Sequence, residues 1–205
     1  MGFRDDFVWG GVSASYQIEG AAYEDGKGPS VWDMFCKQEG RILDGRNGET
    51  ACDHYHLYQK DVNIMREMGY NAYRFSISWP RIIPDGFGAI NEKGLDFYDR
   101  LLDSLLEANI TPYATLFHWD YPYALFRRGG WMNPDSPKWF AEYASILAKR
   151  LGDRMKNIMT INRSRIIKIQ GLHHVVLLRV FSFFYSSEIV FQSTHARIDP
   201  DGVVV

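Results

Sequence analysis

Ala72-Tyr73-Arg74-Phe75-Ser76-Ile77-Ser78, stopped by Pro80, is followed by a helical pattern opening at Asn91 and then by Thr111-Pro112-Tyr113-Ala114-Thr115-Leu116-Phe117. The first and last pieces are short, apolar and bounded by turn-forming residues, which predicts buried strands. Between them Leu95, Tyr98, Leu102, Leu105 and Leu106 recur three and four residues apart. That spacing puts apolar side chains on one face of a helix. The proline of the second piece stands at its start, where a missing N–H is tolerated. Strand, helix and strand in this order predict parallel strands joined by a crossover.

The unit repeats on both sides. Phe7-Val8-Trp9-Gly10-Gly11-Val12 predicts a buried first strand. Asp53 is placed to cap a helix carrying Tyr58, Val62, Met65 and Met68, with Gly69 just past its end. Ser136 is placed to cap a third helix, with Pro137 in its first turn, Phe140, Ala144, Leu147 and Leu151 on one face, and Gly152 at its end. Residues 156–162 predict a fourth strand, ending in Met159-Thr160-Ile161-Asn162. Segments after strands (18–53, 79–90, 118–135) are long and aromatic-rich, whereas those before strands are a few residues long. A (β/α) barrel has this asymmetry, because the loops at the carboxyl ends of its strands build the active site. The expected fold class is therefore α/β: a partial (β/α)8 TIM barrel made of the first four βα units.

At Asn162 the character of the chain changes. All six tryptophans and sixteen of the eighteen glycines lie in residues 1–162. The 43 residues that follow hold a run, Val175-Val176-Leu177-Leu178-Arg179-Val180-Phe181-Ser182-Phe183-Phe184-Tyr185, that suits neither a surface loop nor an amphipathic helix. The division expected is 1–162 as the half-barrel and 163–205 as a divergent tail. The break falls inside a strand-end motif and not in a polar linker, so a shifted reading frame or alternative junction is the favoured explanation; a divergent domain and a true insertion are the others.

Charge and cysteine content remove several function classes. A net charge of -2 makes no electrostatic case for nucleic acid or an anionic membrane as partner. Segment 175–191 is interrupted by Arg179, serines and Glu188, short of the ~20 apolar residues that span a bilayer. Cys36 and Cys52 lack metal-ligand spacing and read as free thiols of a reducing compartment; with no signal-peptide pattern in Met1-Gly2-Phe3-Arg4-Asp5-Asp6, a cytoplasmic location is expected. His173, His174 and His195 carry no supporting carboxylate or cysteine spacing, so no metal and no other cofactor is expected.

Four polar clusters sit where strands end: Gln17-Ile18-Glu19-Gly20, Arg74, His118-Trp119-Asp120 and Asn162. In a barrel they would converge on one rim. Amides, an imidazole and an indole suit a sugar, whose hydroxyls need paired donors and acceptors and whose ring wants an aromatic wall. Trp9, Trp32, Trp79 and Trp131 read as loop packing, and His54 and His56 as structural residues at a helix start.

The motifs go further than that chemistry. Phe7-Val8-Trp9-Gly10, Ser15-Tyr16-Gln17-Ile18-Glu19-Gly20, Gly26-Lys27-Gly28-Pro29-Ser30-Val31-Trp32-Asp33, Cys52-Asp53-His54-Tyr55, Tyr73-Arg74-Phe75-Ser76-Ile77-Ser78-Trp79-Pro80-Arg81 and His118-Trp119-Asp120 occur in this order. Over residues 3–162 the chain resembles the amino-terminal part of glycoside hydrolase family 1, the β-glucosidases. The resemblance implies a (β/α)8 barrel and retaining hydrolysis of β-linked glucosides or galactosides. It implies that Gln17 and His118 bind sugar hydroxyls, that Trp119 walls the same subsite, that Asn162 contacts the 2-hydroxyl, and that Arg74 supports the catalytic carboxylates. Glu19 and Asp120 look structural in the family.

The family motif at the fourth strand continues from Asn into Glu-Pro, and that Glu is the general acid/base. Here Arg163-Ser164 follow Asn162, and the Thr-Glu-Asn-Gly motif that carries the nucleophile does not occur. Arginine holds its proton at any working pH and can serve neither role. Glu188 follows an apolar run as the nucleophile does, but Ile189-Val190 stand in place of Asn-Gly. The expectation is a glycosidase-type chain with no catalytic residue and no turnover of its own. The alternatives are a sugar-binding or self-associating half-barrel, its open sheet edges pairing with another chain, and a product that does not fold stably.

Overall fold

The computed structural model describes residues 2–162. Arg163, the expected tail 163–205, its apolar run 175–185, His173, His174, Glu188 and His195 lie outside the described residues. Four strands, β1 (Gly10–Val12), β2 (Ala72–Ser76), β3 (Thr111–Phe117) and β4 (Asn157–Ile161), form one sheet in the order β1-β2-β3-β4. Every pairing is parallel. A parallel return needs a long crossover. In chain order the helices are α1 (Ser15–Ile18), α2 (Val31–Cys36), α3 (His54–Glu67), α4 (Trp79–Ile82), α5 (Glu92–Glu107), α6 (Tyr123–Phe126) and α7 (Ser136–Leu151). The crossovers are α3, α5 and α7; the short helices decorate the long segments at the carboxyl ends of the strands.

Side chains alternate between the two faces of a strand. One face carries Tyr73 and Phe75 of β2, Ala114 and Leu116 of β3 and Ile158 of β4, all buried. Leu95, Tyr98, Leu102 and Leu105 of α5 and Phe140, Ala144, Leu147 and Leu151 of α7 are buried in the same core. Each such leucine contributes about 1.5–3 kcal/mol by leaving water. Trp79, at the start of α4, stacks on Tyr143 of α7 with ring centroids 5.0 Å apart, and its indole N–H donates to the Gly86 carbonyl. It is packing, as expected.

The other face runs Val12, Arg74, Tyr113 and Asn157 across the four strands in register. Arg74, Tyr113 and Asn157 are half-buried and Val12 is 75% exposed. This is the face a closed barrel turns inward.

The first strand differs most from expectation. It spans three residues, and Phe7, Val8, Trp9 and Val12 are all exposed where a buried strand is expected. The reason is topological: β1 stands at the edge of the sheet, with β2 on one side and no strand among the described residues on the other. The rings of Phe3, Phe7 and Trp9 pack on one another instead, with centroids 4.5–4.7 Å apart. At the far end of β2, regular pairing stops at Ser76, two residues short of expectation.

Helix starts fall where expected, but the capping side chains are engaged elsewhere. Asp53 precedes α3 in the left-handed conformation at φ 56°, and its carboxylate meets His56 Nδ1 at 2.6 Å instead of a helix N–H. Asn91 precedes α5 while its amide donates to the carbonyls of Asp25 and Arg81. Asp135, not Ser136, is the residue before α7; the Ser136 hydroxyl donates to the Gly130 carbonyl. Short polar side chains can bond groups other than a helix N–H, and these three do so. Met68, expected on the inner face of α3, is exposed. No helix among the described residues is long and apolar enough to cross a membrane.

Candidate functional site

Parallel strands open all their carboxyl ends on one rim, and the polar residues gather there. Arg74, half-buried on β2, donates from Nε to Thr115 Oγ1 of β3 at 3.0 Å and from Nη2 to Asn162 Oδ1 at 3.1 Å. Asn162 follows β4 directly, and its backbone N–H donates to the Phe117 carbonyl, carrying the ladder one residue further. Its side-chain Nδ2 donates to His118 Nε2 at 2.8 Å. A guanidinium can only donate. Asn162 must therefore turn its carbonyl oxygen to Arg74 and its NH2 to His118, whose Nε2 accepts. One cation thus sets the orientation of an amide and an imidazole in sequence. Burial holds the Arg74 guanidinium below its ordinary pKa, but arginine keeps its charge.

Trp119 adjoins this chain of bonds with a backbone φ of 79°, in the left-handed region, and its side chain is half-buried. Such a conformation costs a non-glycine residue about 1–3 kcal/mol and persists only where its surroundings impose it. Gln17 lies on α1, exposed, and makes no side-chain hydrogen bond among the described residues. The structure therefore joins Arg74, Asn162 and His118 directly and leaves Gln17 unlinked to them by any bond of its own.

Gln17 is tied in from below. Ser15 Oγ donates to Asp120 Oδ2 at 2.6 Å, and the Ser15 N–H donates to Ser76 Oγ at 2.8 Å; Ser15, Ser76 and Asp120 are all buried. The segment bearing Gln17 is so fastened to the one bearing His118 and Trp119, and both to the end of β2. Burial raises the Asp120 carboxyl above its ordinary pKa, and the Ser15 hydroxyl draws it back down.

A second buried system lies beside the first. Glu19 accepts from Arg81 Nε at 3.0 Å and from the Tyr98 hydroxyl, whose oxygen in turn accepts the Ser78 N–H at 2.7 Å. Arg81 also donates to the Gly20 carbonyl and lies 4.3 Å from the Tyr55 ring centroid. Burial opposes its charge, yet Glu19 and Tyr98 hold the guanidinium above its ordinary pKa. Glu19 and Asp120 are thus structural carboxylates, as the sequence suggested.

Ser15, Arg81 and Thr115 were not singled out from the sequence, though they organise the rim. Partners 62 and 105 residues apart leave no local spacing to find. The one available signal was a charge of each sign, Glu19 and Arg81, in two motifs at the carboxyl side of strands. His54 pairs with Asp61, and His56 bridges Asp53 and Glu24, so both histidines at the start of α3 are structural. No group of three or more metal-ligand side chains occurs among the described residues.

This architecture defines a partial (β/α) barrel whose rim presents an amide and an imidazole oriented by one guanidinium. Comparison with known proteins places it more closely. The family model described as Glycosyl hydrolase family 1 matches residues 1–203, and the chain belongs to that family. It is 49% identical over 169 residues to Beta-glucosidase A of Thermotoga maritima, and 52% identical over 169 residues to Beta-glucosidase A of Acetivibrio thermocellus. Both matches cover 82% of this chain and 38% of the relative. The solved β-glucosidase from Thermotoga maritima in complex with castanospermine superposes with a TM-score of 0.84 at 41% identity, covering 90% of this chain and 47% of the enzyme. The same enzyme in complex with deoxynojirimycin superposes equally well. The chain spans about two fifths of the length of the curated relatives it matches.

Proposed function

We propose that this chain is the glycone-recognising part of a β-glucosidase-type barrel and does not hydrolyse glycosides by itself. Gln17, His118, Trp119 and Asn162 form the sugar-facing set, with Arg74 as its support, and the ligand is a β-linked glucoside or galactoside. The observation that carries this reading is the Arg74–Asn162–His118 chain, which presents an amide and an imidazole in fixed orientation beside an indole. Uncharged groups of this kind read hydroxyls, and neither a metal nor another cofactor is called for. The free thiols of Cys36 and Cys52 suit a cytoplasmic setting.

Retaining hydrolysis needs two carboxyl groups about 5–5.5 Å apart, one attacking the anomeric carbon and one protonating the leaving oxygen. Arg163 stands where the family motif has its acid/base Glu, and residues 1–205 hold no Thr-Glu-Asn-Gly. Loss of general acid catalysis alone costs roughly 10²–10⁴ in rate; loss of the nucleophile removes the mechanism. The chain is therefore expected to show no turnover of a chromogenic β-glucoside. A measurable rate that disappears in Gln17→Ala or His118→Ala would overturn this.

A second role, self-association through open sheet edges, is favoured by one observation: the apolar residues of β1 and its lead-in are exposed.

A further inference from the structure

Beneath the rim lies a cavity of about 10 Å³, lined among others by Ser15, Glu19, Lys27, Asp33, Ser78 and Asp120. Ser78 and Asp120 are each 1% exposed, and neither Ser78 Oγ nor Asp120 Oδ1 meets a partner in hydrogen-bonding geometry. The Ser78 hydroxyl lies close enough to Asp120 to ease its carboxyl down in pKa without a well-formed bond between them. Lys27 sits in the same wall, its side chain 7% exposed, donating to Asp33 Oδ2 at 3.0 Å and to the Gly28 carbonyl at 3.2 Å. An ammonium has three N–H donors. Two are accounted for.

A buried polar atom left without a partner costs about 1–3 kcal/mol, and here two stand at one small cavity. A volume near 10–15 Å³ with two to four polar partners is what a single water molecule needs. We infer that this cavity is a binding site for one structural water, which donates to Asp120 Oδ1, bonds Ser78 Oγ and accepts from Lys27 Nζ. The site favours water over a cation. The lining already sets Lys27 against Asp33, and Arg81 holds Glu19, so two of its three carboxylates are neutralised. No group of three or more His, Cys, Asp or Glu side chains among the described residues is placed to hold a metal ion. The water would complete the fastening of the His118–Trp119 segment, since Asp120 uses one oxygen on Ser15 and has the other for the solvent molecule. This inference rests on the cavity alone and stands whether or not the rim binds a sugar.

The test is water-selective NMR on the intact chain. A long-lived water should give cross-relaxation to amide protons of lining residues, those of Gly20 and Ser78 among them. The signal should be lost in the Ser78→Ala, Asp120→Asn double variant and weakened at least twofold in Ser78→Ala alone. If the double variant does not fold, Lys27→Met, which removes a different partner, must weaken the wild-type signal instead. No cross-relaxation in the wild-type chain overturns the proposal, as does a signal unchanged in whichever of these variants folds. A crystal structure showing five or more oxygens around the site at cation distances would overturn it in favour of a metal ion.

Discussion

The Arg74 guanidinium donates to Asn162 across a strand, for β3 stands between β2, which carries Arg74, and β4, which ends just before Asn162. On the way it also holds Thr115 of β3. One side chain thereby ties three strand ends together. Replacing it by methionine keeps the apolar stem and deletes both donors. Hydrogen bonds to a charged group contribute about 1.5–3 kcal/mol, so Arg74→Met should lower stability by that order. Urea unfolding checks this: the midpoint should fall with the slope unchanged. An unaltered midpoint would mean that the three ends are held by the ladder alone.

The buried pair of Glu19 and Arg81 predicts an asymmetry between single and double replacement. Glu19 and Arg81 side chains are 6% and 1% exposed, so removing either partner strands a charge away from water. Arg81→Met or Glu19→Leu alone should cost about 3–5 kcal/mol, whereas the double variant should cost much less than their sum. A double-mutant cycle from urea melts gives the coupling. Additive losses would show that the two residues act independently.

These two arrangements also mark what the sequence could and could not disclose. Periodicity located α3, α5 and α7, and apolar runs located β2, β3 and β4, because both signals are local. His118, Trp119 and Asn162 directly follow strands, as their motifs suggested, whereas Arg74 stands in the middle of β2 and not at its end. What escaped was set by the whole sheet. The exposure of β1 depends on which strand lies beside it, information that Phe7-Val8-Trp9 cannot hold. Asp53, Asn91 and Ser136 marked helix starts, yet none of the three side chains bonds a backbone N–H of its helix. The ties from Ser15 to Asp120 and from Glu19 to Arg81 join segments that only the fold brings together.

His56 predicts a pH dependence. Its pKa is raised, first by the hydrogen bond to Asp53, against an opposing effect of burial, and further by Glu24. The folded value thus lies above the ordinary value near 6.5. Its stabilisation is fully present below that value and is lost as pH rises through the folded pKa. His56→Gln should accordingly be less stable than the parent at pH 6 and approach it at pH 8 to 9, as read from urea midpoints. The difference should be small, since the side chain is 47% exposed. A gap that widens with rising pH would exclude this pairing as its cause.

Arg163 predicts a failed rescue. Arg163→Glu rebuilds the Asn-Glu pair of the family motif and supplies a proton donor. The proposed mechanism still lacks its nucleophile, so the variant should release no nitrophenol from a nitrophenyl β-glucoside above the solvent rate. Added azide, which rescues enzymes lacking a carboxylate, should not change this for the parent chain. Turnover by Arg163→Glu would locate a nucleophile within residues 1–205 and make Glu188 the first residue to replace.

The last prediction concerns the edge at β1. Val12 is 75% exposed on an edge strand, and Phe7, Val8 and Trp9 just before it are 40–56% exposed. An edge strand offers unpaired backbone groups to another chain, and apolar side chains along it add a favourable area term to that encounter. The chain should therefore run on gel filtration at a mass that rises with concentration. Val12→Lys places a charge on the inward face of that edge without touching the core, so it should shift the equilibrium towards monomer and leave the melting transition nearly unchanged. Salt should distinguish the cause. Association driven by apolar burial strengthens with sulfate, whereas pairing through surface charges weakens as ionic strength rises. If Val12→Lys associates as the parent does, the contact lies elsewhere.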